Sequence, residues 1–305
     1  MRRHALVFPG QGSQRVGMLD ALPETDSFQR LVDAAEALSG LPLRSIAADG
    51  PPADLSDTRA AQPLLYLCDW AWGVTLLSEG LEPLALAGHS LGEYAALAVA
   101  GVVSPEAGLE LVIERSRLMS VVAHSTPGAM AAVLGMESDT VRDLVGALEG
   151  VWVANDNAPG QVVLSGTHQG IETATAALSA AGARRVLPLP VAGAFHSPLM
   201  ASARDAFAQI LSEADMRTAA YPIYQNTDPT PATSPDVIRA RLVDQIVSPV
   251  RWSETMAALV SAHVEVLVEA GPGAVLTGLA KRFDGLEGID VEAGGIPRVL
   301  EVLNS

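Results

Sequence analysis

The sequence predicts an α/β protein: a body with a parallel sheet flanked by helices, into which a smaller βαββαβ unit is inserted. Three observations predict it. Short apolar runs, Ala5 to Phe8 and Pro83 to Ala87, each end at a glycine-bearing turn and alternate with long helical patterns, as buried parallel strands do. Between residues 127 and 192 the order of elements changes, and strands outnumber helices. The 305 residues, 49% of them hydrophobic, can bury a core large enough for one body with an insertion.

Ala5-Leu6-Val7-Phe8 is a strand closed by Pro9-Gly10-Gln11-Gly12. Four residues are too few for a secretory core or a bilayer span, and no other stretch nears 18 uninterrupted apolar residues, so a cytoplasmic location is expected. Pro83 to Ala87 is the second strand. It runs into Gly88-His89-Ser90-Leu91-Gly92 and then a helix from Glu93 to Ala100, closed by Gly101. Ser104-Pro105-Glu106 opens the next helix with a capping serine, a proline in the first turn and an acid, and that helix runs to about Val122.

The inserted unit follows. A strand from Ala129 to Gly135 leads to a helix capped by Ser138 and ending near Leu148, then strands at Val151 to Ala154 and Val162 to Leu164. An alanine-rich helix from Gly170 to Ala181 and a strand from Arg185 to Val191 complete the βαββαβ order of a ferredoxin-like unit. The expected division is a catalytic body of residues 1–126 and 193–305 and an insert of residues 127–192. Thr227 to Pro235, rich in proline and threonine, reads as a surface loop.

Charge and cysteine content exclude several classes of function. Acidic residues outnumber basic ones 35 to 19, a net charge of −16, which argues against a nucleic-acid or anionic-membrane partner. An anionic ligand would have to be met by local arginines. Cys68 is the single cysteine, so no internal disulfide is available, and its neighbours Leu64, Leu65 and Leu67 mark it as a buried apolar residue.

The chemistry centres on Ser90. Gly88-x-Ser90-x-Gly92 fits a nucleophile elbow, with a strand before it and a helix after it. Glycines on both sides let the turn close, the serine hydroxyl project, and the helix N-terminus offer N–H groups to a developing oxyanion. Serine needs a base, and six histidines are available: His4, His89, His124, His168, His196 and His263. His89 adjoins the nucleophile, but neighbours in a tight turn point apart, which favours a structural role. His196, in the compact loop Ala192-Gly193-Ala194-Phe195-His196-Ser197-Pro198 directly after the insert, is the better base. Asp139, Asp143 and Asp156 are the carboxylates a triad would draw on, and none occupies a strand end. A Ser-His dyad oriented by a backbone carbonyl is therefore expected.

Arg115 lies on an apolar helical stripe, three and four residues from Leu111, Val112, Leu118 and Met119, whereas Arg117 can pair with Glu114. A cation on a core face needs an anion, either an internal carboxylate or a ligand. If it is a ligand, the transferred acyl group carries its own carboxylate.

Together these segments resemble the malonyl-CoA:acyl carrier protein transacylase family, which includes polyketide acyltransferases. The matching motifs are Phe8-Pro9-Gly10-Gln11-Gly12-Ser13-Gln14, Gln62-Pro63, Gly88-His89-Ser90-Leu91-Gly92-Glu93, Arg115, Gly193-Ala194-Phe195-His196-Ser197, Pro249-Val250-Arg251-Trp252 and Gly271-Pro272-Gly273. The resemblance implies a hydrolase-like large subdomain carrying a ferredoxin-like small one, that Ser90 is acylated by malonyl-CoA, that His196 is base and then acid, and that the N–H groups of Gln11 and Leu91 form the oxyanion hole. It implies further that Arg115, with Gln62 beside it, binds the malonyl carboxylate, and that the main-chain carbonyl of Ser248 orients His196. Phe195 resembles the malonyl-selective pattern. No metal or cofactor is implied beyond the coenzyme A thioester; the partner is an acyl carrier protein, and a monomer is expected. A basic patch of Arg184, Arg185, Lys281 and Arg282 is a candidate for docking that acidic partner. Two rival readings are a trans-acting polyketide acyltransferase with another extender unit and a hydrolase that clears stalled carrier proteins. Arg115 argues for transfer.

Overall fold

The computed structural model describes residues 1–191 and 193–305. Its strands are β1 (His4–Phe8), β2 (Ala85–Gly88), β3 (Ala129–Leu134), β4 (Val151–Ala158), β5 (Gln161–Gly166), β6 (Arg185–Pro188), β7 (Ile223–Tyr224), β8 (Val266–Glu269) and β9 (Glu287–Asp290). They form two sheets, one ordered β7-β2-β1-β8-β9 and one ordered β4-β5-β3-β6.

Every pairing in the first sheet is parallel. β1 and β2 are buried along their whole length, which is why they read as continuous apolar runs. In register, Phe8 sits opposite Gly88 and Val7 opposite Glu269, so β1, β2 and β8 end together. The turns after them, carrying Gln11, Ser90 and Gly271-Pro272-Gly273, leave one edge of the sheet, where open α/β folds place their ligands. Behind that edge the helices Thr58–Ser78, Gly92–Val99 and Pro105–Ser125 pack into the main core. Ser104 caps the last of these through the Ala107 N–H, as expected. Cys68 is buried.

The second sheet is antiparallel, with helices Ser138–Gly146 and His168–Ala180 packed on a separate core that includes Val133, Val141, Leu164 and Leu178. Val250 stitches it to the body, donating to the Ala154 carbonyl (2.8 Å) and accepting from the Asp156 N–H (2.9 Å). Three local expectations need correction. Ser138 is the first residue of its helix rather than the cap, because its hydroxyl donates to Asp156 Oδ1 at 2.8 Å and Glu137 takes the cap position. β4 continues past Ala154 through Asn155-Asp156-Asn157, polar residues that disfavour strands, because bulges turn their side chains toward partners in the fold. β6 ends at Pro188 instead of Val191, since Pro188 and Pro190 carry no N–H for a ladder. Ala192, the expected last residue of the insert, lies outside the described residues. Among the described residues no helix is long and apolar enough to cross a membrane.

Candidate active site

The elbow is dictated by sterics. A Cβ on Gly88 would sit 2.0 Å from the Gly92 carbonyl carbon, and one on Gly92 would sit 2.1 Å from the Phe8 oxygen, so only glycine fits either position. Ser90 between them has φ 50°, a left-handed conformation that costs a non-glycine residue about 1–2 kcal/mol. Side chains offset that strain from both sides. Asn226 accepts from the Ser90 N–H at 2.6 Å and donates to the Gly88 carbonyl at 2.7 Å, while Gln245 Nε2 donates to the Ser90 carbonyl at 2.9 Å. Asn226 is itself held through its N–H by the carboxylate of Glu93, in the first turn of the following helix. Burial pushes the Glu93 carboxyl up to about 7, against the pull of its hydrogen bonds and of Arg115.

His196 is buried, also left-handed (φ 56°), and its Nε2 lies 2.7 Å from Ser90 Oγ. Its Nδ1 lies 2.9 Å from the main-chain carbonyl of Gln245. A carbonyl can only accept, so Nδ1 carries the proton and Nε2 offers its lone pair to the serine hydroxyl. The orienting carbonyl is thus that of Gln245, not of Ser248 as expected. Gln245 is the last residue of the helix Pro235–Gln245, where carbonyls run out of helical partners. Burial first, and the charge of Arg115 second, lower the His196 pKa to about 3. None of the three aspartates reaches this ring: Asp139 and Asp156 pair with Arg142, and Asp143 is exposed. His89 is structural in its contacts, with Nε2 2.8 Å from Asn157 Oδ1 and its ring edge-on to Trp252.

Arg115 is 1% exposed. Its Nη1 donates to Gln62 Oε1 at 2.6 Å, and its Nη2 donates to Ser90 Oγ at 3.0 Å and Gln245 Oε1 at 3.2 Å. The guanidinium lies over the Tyr94 ring at 5.4 Å, and its Nε has no partner among the described residues. All of its acceptors are neutral oxygens. Among the described residues Arg115 forms no ion pair, although twelve ion pairs occupy other cations of the chain. Burial pushes its pKa down without discharging it. Beyond Gln62, hydrogen bonds continue from Gln62 Nε2 to Thr58 Oγ1 (2.8 Å) and from Thr58 Oγ1 to Gln11 Oε1 (3.0 Å).

The backbone supplies donors as well. Ser90, Gly92, Gly12 and Ser13 all donate their N–H groups within the protein, but among the described residues those of Gln11 and Leu91 do not. Both belong to turns at the edge of the parallel sheet where Ser90 stands. A cavity of about 310 Å³ opens there, lined by Gln11, Ser90, Phe195 and His196 on one side and by Met130, Ala132 and Val163 of the antiparallel sheet on the other. Phe195 also borders a second cavity of about 560 Å³. Among the described residues no cluster of three or more His, Cys, Asp or Glu could hold a metal ion. Arg184, Arg185, Lys281 and Arg282 are exposed, and none is ion-paired among the described residues. Arg282 donates to the Pro159 carbonyl at 2.8 Å, in the turn between β4 and β5, and Gly135 beside that turn packs against Arg184. The patch therefore follows directly on the helix Val275–Ala280, whose Val275, Leu276 and Leu279 line the first cavity.

Sequence reading missed Thr58, Asn226 and the side chain of Gln245. Gln225-Asn226, a polar pair placed straight after the apolar β7, was the available signal for one of them; the others sit on helices without a distinguishing pattern.

Comparison with known proteins gives consistent results. Residues 5–291 match the family described as acyl transferase domain. A malonyl CoA-acyl carrier protein transacylase of Synechocystis sp. is 40% identical over 279 residues, covering 91% of this chain and 92% of the relative. Its counterpart in Escherichia coli (strain K12) is 39% identical over 288 residues, 93% of each chain. Among solved structures, a malonyl-transacylase in complex with its type II PKS acyl-carrier protein superposes with a TM-score of 0.92 at 35% identity, covering 99% of both chains. An acyl carrier protein S-malonyltransferase from Vibrio cholerae gives 0.91 at 39% identity, covering 98% of this chain and 99% of the other.

Proposed function

The chain belongs to the acyl transferase domain family, and from that premise we propose that it moves a malonyl group from coenzyme A to the phosphopantetheine thiol of an acyl carrier protein, supplying fatty acid or polyketide synthesis. The observation that carries the reading is Arg115, a buried cation without an ion pair whose Nη2 stands 3.0 Å from the hydroxyl of Ser90. A site that keeps a guanidinium waiting beside its nucleophile suits an acyl group bearing a carboxylate.

The scheme is ping-pong. His196 Nε2 takes the Ser90 proton as Oγ bonds to the thioester carbonyl carbon, and the N–H groups of Gln11 and Leu91 receive the oxyanion. Collapse breaks the C–S bond; the leaving coenzyme A sulfur takes the proton from His196, and malonyl remains as an oxyester on Ser90 with its carboxylate on Arg115. The carrier-protein thiol then gives its proton to His196, attacks the ester, and returns Ser90 as the proton passes back to Oγ. Phe195 narrows the acyl site in favour of malonyl over branched units. Every residue in the scheme lies within a single chain, so the site is complete without a second copy. The division into a body of residues 1–126 and 193–305 and an insert of residues 127–192 belongs to the same proposal. The exposed cations from Arg184 to Arg282 form the carrier-protein dock.

Intact-mass analysis after brief incubation with malonyl-CoA tests the reading. A malonyl adduct is expected on the wild type, absent from Ser90→Ala, and transferred to an added carrier protein. Steady release of free malonate without an adduct that can be passed on would instead mark a hydrolase.

A further inference from the structure

Thr58 opens the helix Thr58–Ser78 and is 9% exposed. Its hydroxyl stands between two side chains with different assignments, Gln62 beside the carboxylate-binding cation and Gln11 on the oxyanion loop. The hydrogen-bond path runs from Ser90 through Arg115, Gln62 and Thr58 to Gln11.

The polarity of this path is set at one end. A guanidinium only donates, so the Gln62 atom 2.6 Å from Arg115 Nη1 is the amide oxygen, and the amide NH₂ must turn the other way. That NH₂ meets Thr58 Oγ at 2.8 Å; its one further neighbour is the weakly accepting Met119 sulfur at 3.7 Å. The hydroxyl accepts from Gln62 and has a single proton left, which goes to the Gln11 oxygen at 3.0 Å. Reversing any one group would set donor against donor, and the cost is greatest at Gln62, which is fully buried.

We propose that Thr58 is a positioning residue: one hydroxyl locks Gln62 with its oxygen on Arg115 and, with its only proton, fixes the side chain of Gln11, so that carboxylate recognition and the oxyanion loop are set together. The inference rests on the malonyl-transfer reading above. Without the hydroxyl, Gln62 is free to turn its NH₂ toward Arg115, which weakens malonyl recognition, and the Gln11 loop loses an anchor, which slows acylation by any donor.

Acylation rates from malonyl-CoA and acetyl-CoA, with thermal melting as a check on folding, test this in four variants. Thr58→Val keeps shape and removes the hydroxyl. It is expected to lower malonyl acylation roughly 10- to 100-fold and acetyl acylation several-fold less, cutting the malonyl-to-acetyl ratio about tenfold. Thr58→Ser restores the hydroxyl and is expected within about threefold of wild type. Gln11→Met keeps the backbone N–H but frees the Thr58 proton, so it lowers the same ratio from outside the carboxylate site. The double variant Thr58→Val/Gln11→Met is expected to lower the ratio no further than Thr58→Val alone, as members of one path do. Should Thr58→Val not fold, Gln11→Met and Thr58→Ser carry the test. A ratio unchanged in Thr58→Val or Gln11→Met, or single effects that multiply in the double variant, overturns the relay while the transfer reading stands. A wild type that takes no malonyl overturns both.

Discussion

The parallel-sheet wall of the cleft holds its groups by hydrogen bonds arriving from several directions, whereas the antiparallel-sheet wall mixes apolar Met130, Ala132 and Val163 with polar Asn155, Asn157 and Gln161. Ser90 alone is tied through its N–H, its carbonyl and its hydroxyl. Among the described residues three non-glycine positions have left-handed backbone, and two of them are the proposed catalytic pair, Ser90 and His196. Such strain persists only where the surroundings over-determine it. The opposite wall carries no such strain. Its Met130, Ala132 and Val163 cover part of the cleft, and its Asn157 meets His89, next to the nucleophile, at 2.8 Å.

The comparison would break most visibly at Arg115. If that side chain reads the carboxylate, Arg115→Met should lower acylation by malonyl-CoA by about 10²- to 10³-fold, the loss expected on truncating one member of a buried charge pair. Acetyl acylation should fall far less. The protein should melt no lower than wild type, since a buried cation without an ion pair is replaced by an apolar chain of similar length. Equal losses for both donors would assign Arg115 to holding Ser90 and Gln245 rather than to substrate choice.

How much of this was legible in the sequence follows the same division. The elbow was readable because its glycines are forced by sterics within five residues, and Arg115 because a cation on an apolar stripe is visible from local spacing. The clamp on Ser90 was not readable, because its partners Asn226 and Gln245 are 136 and 155 residues away and act through side chains whose direction only the fold decides. The Ser248 expectation failed for a related reason: a backbone carbonyl leaves no trace in residue type, so nothing separated Ser248 from Gln245. On the antiparallel wall the βαββαβ order was readable from alternation and length, but Asn155-Asp156-Asn157 was not recognised as strand. Its partners, Val250 for the backbone and His89 for Asn157, come from outside the unit.

A smaller effect is expected at the rim, where neither wall acts. Replacing Arg184, Arg185, Lys281 and Arg282 together by glutamate should reduce kcat/KM for the carrier protein about tenfold at low salt, with the difference shrinking as salt rises. Acylation by malonyl-pantetheine, which lacks the phosphates of coenzyme A, should remain near wild type. Carrier-protein kinetics unchanged by the four reversals would leave these cations as solvated surface and move the dock elsewhere.

The smallest expected effect is a near-absence of response to pH, and it tests whether the base is as buried in solution as its 5% exposure implies. An imidazole at the ordinary value of about 6.5 would lose roughly 97% of its basic form by pH 5. His196, lowered to about 3 mainly by burial, stays neutral, so acylation should change less than about twofold from this group between pH 8 and 5. The Glu93 carboxyl, raised to about 7, can add an inflection of its own through Asn226 and Arg115. An inflection near 7 that vanishes in Glu93→Gln belongs to that carboxyl, whereas one near 6.5 that survives the substitution would show that His196 is solvated. Stability must be followed alongside, because two contributions of opposite sign overlap. Below 6.5 the unfolded chain takes up a proton that folded His196 refuses, so its contribution, present above 6.5, is lost as pH falls toward 3, whereas the Glu93 and Glu269 carboxyls, raised to about 7, add stability as pH falls from 7 toward 4.5. A rate that falls together with the melting temperature reports unfolding. A rate that falls while the fold holds, with an inflection that survives Glu93→Gln, reports water at the base.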